Sequence, residues 1–177
     1  EFAEKFRTSE HKNLQLEVIK RLINNEVKVI AKRNVVAGRE FSEMLAAAMN
    51  RYQNRAIDAA QVVAEIVEIA KAIREKRAAG DESGLNENEI AFYDALISNE
   101  AAKQMMQDAT MRQIAHELTE IVRQDAKTDW NVKETVRAKL RTRIKRLLLK
   151  YGYPPDLETA ATDLILEQAE VMAEGEA

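Results

Sequence analysis

Apolar side chains recur every three to four residues along nearly the whole chain, and the apolar–polar alternation of a half-buried strand is almost absent. That period commits the chain to helices, because only a helix gathers positions i, i+3, i+4 and i+7 onto one face. The punctuation agrees. Five Gly and two Pro in 177 residues are too few for an all-β fold, which turns about every 8–12 residues. The expected fold is all-α, an irregular multi-helix bundle of about seven helices with no sheet, read as a single domain over 1–177.

The elements follow from stripes and caps. The first helix is expected from Lys12 to about Lys32, with Leu14, Val18, Leu22 and Ile30 on its leading stripe and Ile19, Ile23 and Val27 beside them. Gly38 should break it, and a second helix near Glu40 presents Phe41, Met44, Leu45, Ala48 and Tyr52. Asp58 and Gln61 have capping-box spacing, so a third helix opens there and carries Val62, Ile66, Ile69 and Ile73. The stretch "GDESGLNEN" reads as a surface loop, exposed over 80–86. Asn86 and Glu89 cap the next helix, with Ile90, Tyr93, Leu96 and Ile97. A short helical turn at 100–107 follows, and Asp108 caps a helix bearing Met111, Ile114, Leu118, Ile121 and Val122. Asn131 and Glu134 cap a basic helix that Gly152 ends, and Pro155 suits the first turn of a last helix with Leu157, Ala161, Leu164, Ile165 and Met172. No repeat of fixed period points to a solenoid.

Charge is concentrated in one place. The chain has 27 Lys and Arg against 30 Asp and Glu, yet residues 133–150 carry a net charge of +7 and the remainder −10. On a helical wheel Val136, Leu140, Ile144, Leu147 and Tyr151 form the core-facing arc of that helix. Lys139, Arg143, Arg146 and Lys150 line one flank; Arg137, Arg141 and Lys145 line the other. Between the flanks, opposite the core, stand Ala138, Thr142 and Leu149. Long basic side chains bordering a small or apolar back face suit three tasks: ion pairing within an acidic domain, docking a protein, or contacting phosphates. Trp130, beside the Asn131 cap, is either the staple residue of this helix, packing near Val136, a generic core residue, or a docking residue.

Catalytic machinery is not written into these residues. No Gly-rich stretch leads to a Lys-Ser/Thr at phosphate-loop spacing, and there is no Cys for a thiol nucleophile, a disulfide or a zinc ribbon. His116 falls on the polar side of its helix, and no Glu-x-x-His pair offers a carboxylate-bridged metal site. The acid pairs Glu65/Glu68 and Glu167/Glu170 suit solvated helix faces, and Met105-Met106 suits core filling. The expected catalytic and metal-ligating residues are therefore none. No apolar run reaches the ~18 residues of a membrane span, and a cytoplasmic protein fits the absence of Cys. Opening on Glu1-Phe2 without Met suggests a piece of a longer chain.

Four stretches resemble the C-terminal helical domain of the motor (R) subunit of type I restriction–modification enzymes: "AKRNVVAGREFSEML" (31–45), "NEIAFYDAL" (88–96), "DWNVKETVRAKLRTRIKRLLLKYGYPPD" (129–156) and "LEQAE" (166–170). With their spacing they cover nearly the whole chain, and Asp129-Trp130, the basic helix and the Tyr-Gly-Tyr-Pro-Pro ending are the specific part. The resemblance implies a fragment of a large ATP-dependent endonuclease and DNA translocase. Its nuclease and motor domains, with their ATP and Mg, would lie upstream. Pro155-Asp156 lacks the following acid-x-Lys of the family's nuclease core, so no catalytic residue carries over and the fragment itself is expected not to be an enzyme. The resemblance further implies an assembly role, fastening the motor subunit to the methyltransferase and specificity subunits, and a position close to DNA. A brace for the motor domains of its own chain is a third expectation.

Overall fold

The structure, a computed structural model, describes residues 12–126 and 133–176. Among the described residues it contains eight α-helices, one 3-10 turn and no strand. The sequence suggests one domain; the packing groups the described residues into two compact units, one of those up to Ala31 with Ala37–Ser83, the other of Lys32–Val36 with those from Gly84 onward.

The first unit is built from α1 (Lys12–Ala31), α2 (Val35–Gln53) and α3 (Ala59–Glu82). The α3 stripe behaves as its period demands, burying Val62, Val63, Ile66, Ile69 and Ile73 against Phe41, Leu45, Ala48 and Met49 of α2 and Leu16, Ile23 and Val27 of α1. Asp58 accepts the Gln61 amide N–H at 2.8 Å while the Gln61 side chain accepts the Asp58 N–H at 2.8 Å, so the box closes in both directions. Arg77 adds an exposed ion pair to Glu26 at 2.6 Å, tying α3 to α1.

Three local expectations differ from the structure. The α1 stripe of Leu14, Val18 and Leu22 faces solvent, at 67%, 50% and 60% exposure, and the opposite side enters the core. This helix is apolar on both sides, so its period fixes helicity but not which side is buried. Gly38 does not break a helix. It lies in the first turn of α2, buried, where a Cβ would stand 2.5 Å from the Ala31 Cα. Its value is close approach of two backbones rather than turn geometry. The loop expected at 80–86 is also shorter, because α3 runs on to Glu82 and the chain turns at Gly84 with φ +75°.

The second unit comprises α4 (Glu87–Ile97), α5 (Glu100–Met105), α6 (Asp108–Ala126), α7 (Lys133–Lys150), a 3-10 turn (Pro155–Leu157) and α8 (Glu158–Glu176). Phe92, Leu96, Met111, Ile114, Leu118, Leu140, Ile144, Leu148, Ile165 and Leu166 are its fully buried centre. Asn86 caps α4 by accepting the Glu89 N–H at 2.9 Å, and Asn99 caps α5 by accepting the Ala101 N–H at 2.9 Å. Asp108 is the first residue of α6 rather than its cap. Its carboxylate accepts the Tyr93 hydroxyl and, at 2.8 Å, the Arg112 guanidinium. Burial first, and then this hydrogen bond, pushes the Tyr93 phenol up to about 12; the Tyr93 bond is also the main cause that lowers Asp108.

The end of α7 is a Schellman motif. The Tyr153 N–H donates to Leu148 O at 2.9 Å and the Gly152 N–H to Leu149 O at 3.1 Å, with Gly152 at φ +72°. Tyr153 then enters the core and donates its hydroxyl to Leu96 O at 2.8 Å, so α4 and the α7–α8 connection are pinned together. Burial raises its pKa.

A short strap completes this unit. Residues Lys32–Val36 pack with it, and Gln168, wholly buried on α8, grips the strap by both ends of its amide. The Gln168 Oε1 accepts the Val35 N–H at 2.8 Å, and its Nε2 donates to Arg33 O at 2.8 Å. Asn34 Nδ2 donates to the buried Asp94 carboxylate at 2.7 Å, and Arg33 reaches Glu87 at 2.9 Å. Burial of polar groups is tolerable here because each of these contacts is a hydrogen bond.

Candidate functional site

The basic helix α7 packs its apolar arc of Leu140, Ile144, Leu147 and Leu148 into the second unit's core. Its cations then separate into two groups. Arg137, Arg141, Arg143 and Lys150 are committed to carboxylates of the same unit. Arg137 pairs with Glu170 and Arg141 with Asp163 at 2.8 Å, both on α8. Arg143 meets Asp125 of α6 at 2.7 Å and donates a second bond to Gln124 at 3.3 Å. Lys150 stands 3.6 Å from Glu117 and 5.1 Å from the Tyr151 ring centre, a cation–π contact at the helix end. The Asp125 side chain is only 8% exposed, so its pair with Arg143 is the most buried of the four.

Lys139, Lys145 and Arg146 form the second group. They make no ion pair among the described residues, and Lys139 and Arg146 are exposed while Lys145 is half-buried. Together they border the outward face of α7, where Ala138, Thr142 and Leu149 lie exposed. Leu149 is 70% exposed. The sequence-level flanks therefore each divide: Arg143 and Lys150 point to internal acids while Lys139 and Arg146 do not, and Arg137 and Arg141 are paired while Lys145 is not. The eighth candidate, Trp130, and the Asn131 cap lie outside the described residues.

Sequence reasoning missed Asn34 of the strap and the residues Asp94 and Gln168 that hold it. The available signal was their position inside three of the four quoted stretches, "AKRNVV", "NEIAFYDAL" and "LEQAE", which the fold brings to one buried polar cluster. Among the described residues, no three His, Cys, Asp or Glu side chains gather where they could hold a metal ion. His116 is exposed, with Nδ1 3.6 Å from Glu89. Of the described helices, none is long and apolar enough to cross a membrane.

Residues 1–175 match the family described as "Type I restriction enzyme HindI endonuclease subunit-like, C-terminal". The chain belongs to that family. It is 35% identical over 174 residues to the type I restriction enzyme HindI endonuclease subunit of Haemophilus influenzae, an alignment covering 98% of this chain and 16% of that protein. It is 30% identical over 153 residues to the putative type I restriction enzyme MjaIXP endonuclease subunit of Methanocaldococcus jannaschii, covering 86% of this chain and 15% of that protein. This member of the HindI-like C-terminal family thus spans about one-sixth of the length of the curated relatives it matches. No solved structure matches it.

Proposed function

We propose that this chain is the assembly domain of a type I restriction endonuclease subunit, docking that subunit onto the methyltransferase–specificity core through the outward face of α7. The carrying observation is the division of the α7 cations. Four are used within the fold, whereas Lys139, Lys145 and Arg146 remain unengaged around an exposed leucine. Charges that stabilise nothing internally are available to a partner; an apolar centre with a polar rim is the usual plan of a protein interface, and a rim of one sign selects a partner of the other. In this reading the domain performs no chemical step. ATP-driven translocation and cleavage of foreign DNA belong to other parts of the subunit, which hold the ATP and Mg, and the complex works in the cytoplasm.

The test is co-elution of the protein, at the full length its gene encodes, with the methyltransferase–specificity complex of the same system. Co-elution in the absence of DNA, weakened when Lys139, Lys145 and Arg146 are all changed to Gln, is the expected result. Co-elution that requires duplex DNA, and falls with a slope near −0.9 in log K per log salt for each phosphate engaged, would replace docking with phosphate contact.

A further inference from the structure

We infer that Leu149 is the anchor of this docking surface, and that its receptor is an apolar pocket on a partner protein rimmed by carboxylates. The inference rests on the assembly reading and adds the chemistry of the partner. On α7, Ala138, Leu149 and Thr142 span an arc of only about 40°, with Lys145 on one side and Arg146 then Lys139 on the other. Leu149 is the large apolar side chain of that arc and is 70% exposed. Thr142 turns its hydroxyl back to Ala138 O at 3.2 Å, which leaves its methyl group as the surface it offers outward. The centre of the face is thus apolar, and its border is cationic beyond the first turn, where exposed Glu134 stands.

Two ligand chemistries match three unengaged cations, and Leu149 separates them. Phosphates of a nucleic acid would satisfy Lys139, Lys145 and Arg146 but give a leucine side chain no apolar surface to enter. Base stacking needs aromatic side chains on the same face, and Tyr151, the aromatic of this helix end, is half-buried on the core side beneath Lys150. A protein surface with a pocket and an acidic rim satisfies both elements at once. The leucine leaves water, and the long basic stems fold over the pocket edge while their heads reach carboxylates. The helix needs no rearrangement to present this face, because its opposite side is locked into the core by Leu140, Ile144 and Leu148 and its end by the Gly152 turn.

Binding of the full-length protein to the methyltransferase–specificity complex of its own system is the measurement. The variants are Leu149→Ser, Leu149→Met and Lys145→Glu, each with its melting temperature. Leu149→Ser should weaken binding more than tenfold with an unchanged melt, Leu149→Met should bind close to wild type, and Lys145→Glu should weaken binding by charge reversal. Wild-type binding from Leu149→Ser overturns the anchor while leaving the assembly reading in place. A wild-type protein that the complex does not retain overturns the assembly reading and the anchor with it. Two further outcomes also overturn the inference: loss in Leu149→Ser of self-association rather than of partner binding, and random duplex DNA binding that depends on the three cations but not on Leu149.

Discussion

Arg143 and Arg146 sit three residues apart on one flank of α7, yet they meet different surroundings. Arg143 ends 2.7 Å from Asp125, whose side chain is 8% exposed, whereas Arg146 reaches outward beside Leu149. Removing one member of a buried pair costs about 3–5 kcal/mol; Arg143 keeps part of its side chain in water, so Arg143→Gln should cost roughly 1–3 kcal/mol of stability. Arg146→Gln should change stability by less than about 0.5 kcal/mol. Urea denaturation of the two single variants measures both, and equal midpoints would show that the Arg143–Asp125 contact contributes nothing. A helical wheel ranks these residues alike because it reports direction around one helix. It carries no information on where α6 places a carboxylate 18 positions earlier.

What was legible in the chain depends on how far apart the cooperating residues are. The box of Asp58 and Gln61, the cap of Asn86 and the terminus at Gly152 involve partners within a few residues, and all three are where the sequence places them. The orientation of α1 was not legible, because Leu14, Val18 and Leu22 on one side compete with Leu16, Ile23 and Val27 on the other, and only packing chooses. Gly38 was misread for a related reason. Its close neighbour is Ala31 on the preceding helix, and glycine's local meaning as a breaker outweighs a contact that sequence does not reveal. That contact makes a sharp forecast. Alanine gains up to ~1 kcal/mol over glycine in a helix interior, but its Cβ would lie 2.5 Å from a backbone atom that cannot rotate away. Overpacking costs about 1–3 kcal/mol, so Gly38→Ala should lower stability by roughly 1–2 kcal/mol. A variant as stable as the parent in urea would mean that α1 and α2 separate more easily than the packing suggests.

Chain order and packing order disagree across the molecule, and this limits how it can be divided. The strap Lys32–Val36 is flanked in sequence by helices of the first unit but belongs to the second, where Gln168 bonds it twice and Asn34 meets Asp94. A cut at Gly84, inside the stretch "GDESGLNEN", would remove the strap from its receptor. Both backbone partners of a wholly buried glutamine would be lost, and so would the Asn34 bond to a carboxylate that is 7% exposed. Each buried polar group deprived of its partner costs about 1–3 kcal/mol, more where the group is charged. Against a net stability of about 5–15 kcal/mol for a whole domain, the fragment 84–177 should be severely destabilised even though it retains every residue of the Phe92–Leu118–Ile165 centre. The full chain with Gln168→Ala should show part of the same loss, since it removes the grip but leaves Asn34 with Asp94. Urea midpoints falling in the order full chain, Gln168→Ala, fragment 84–177 are the expected outcome. A fragment as stable as the full chain would show that the strap is held by the unit without helping to hold it.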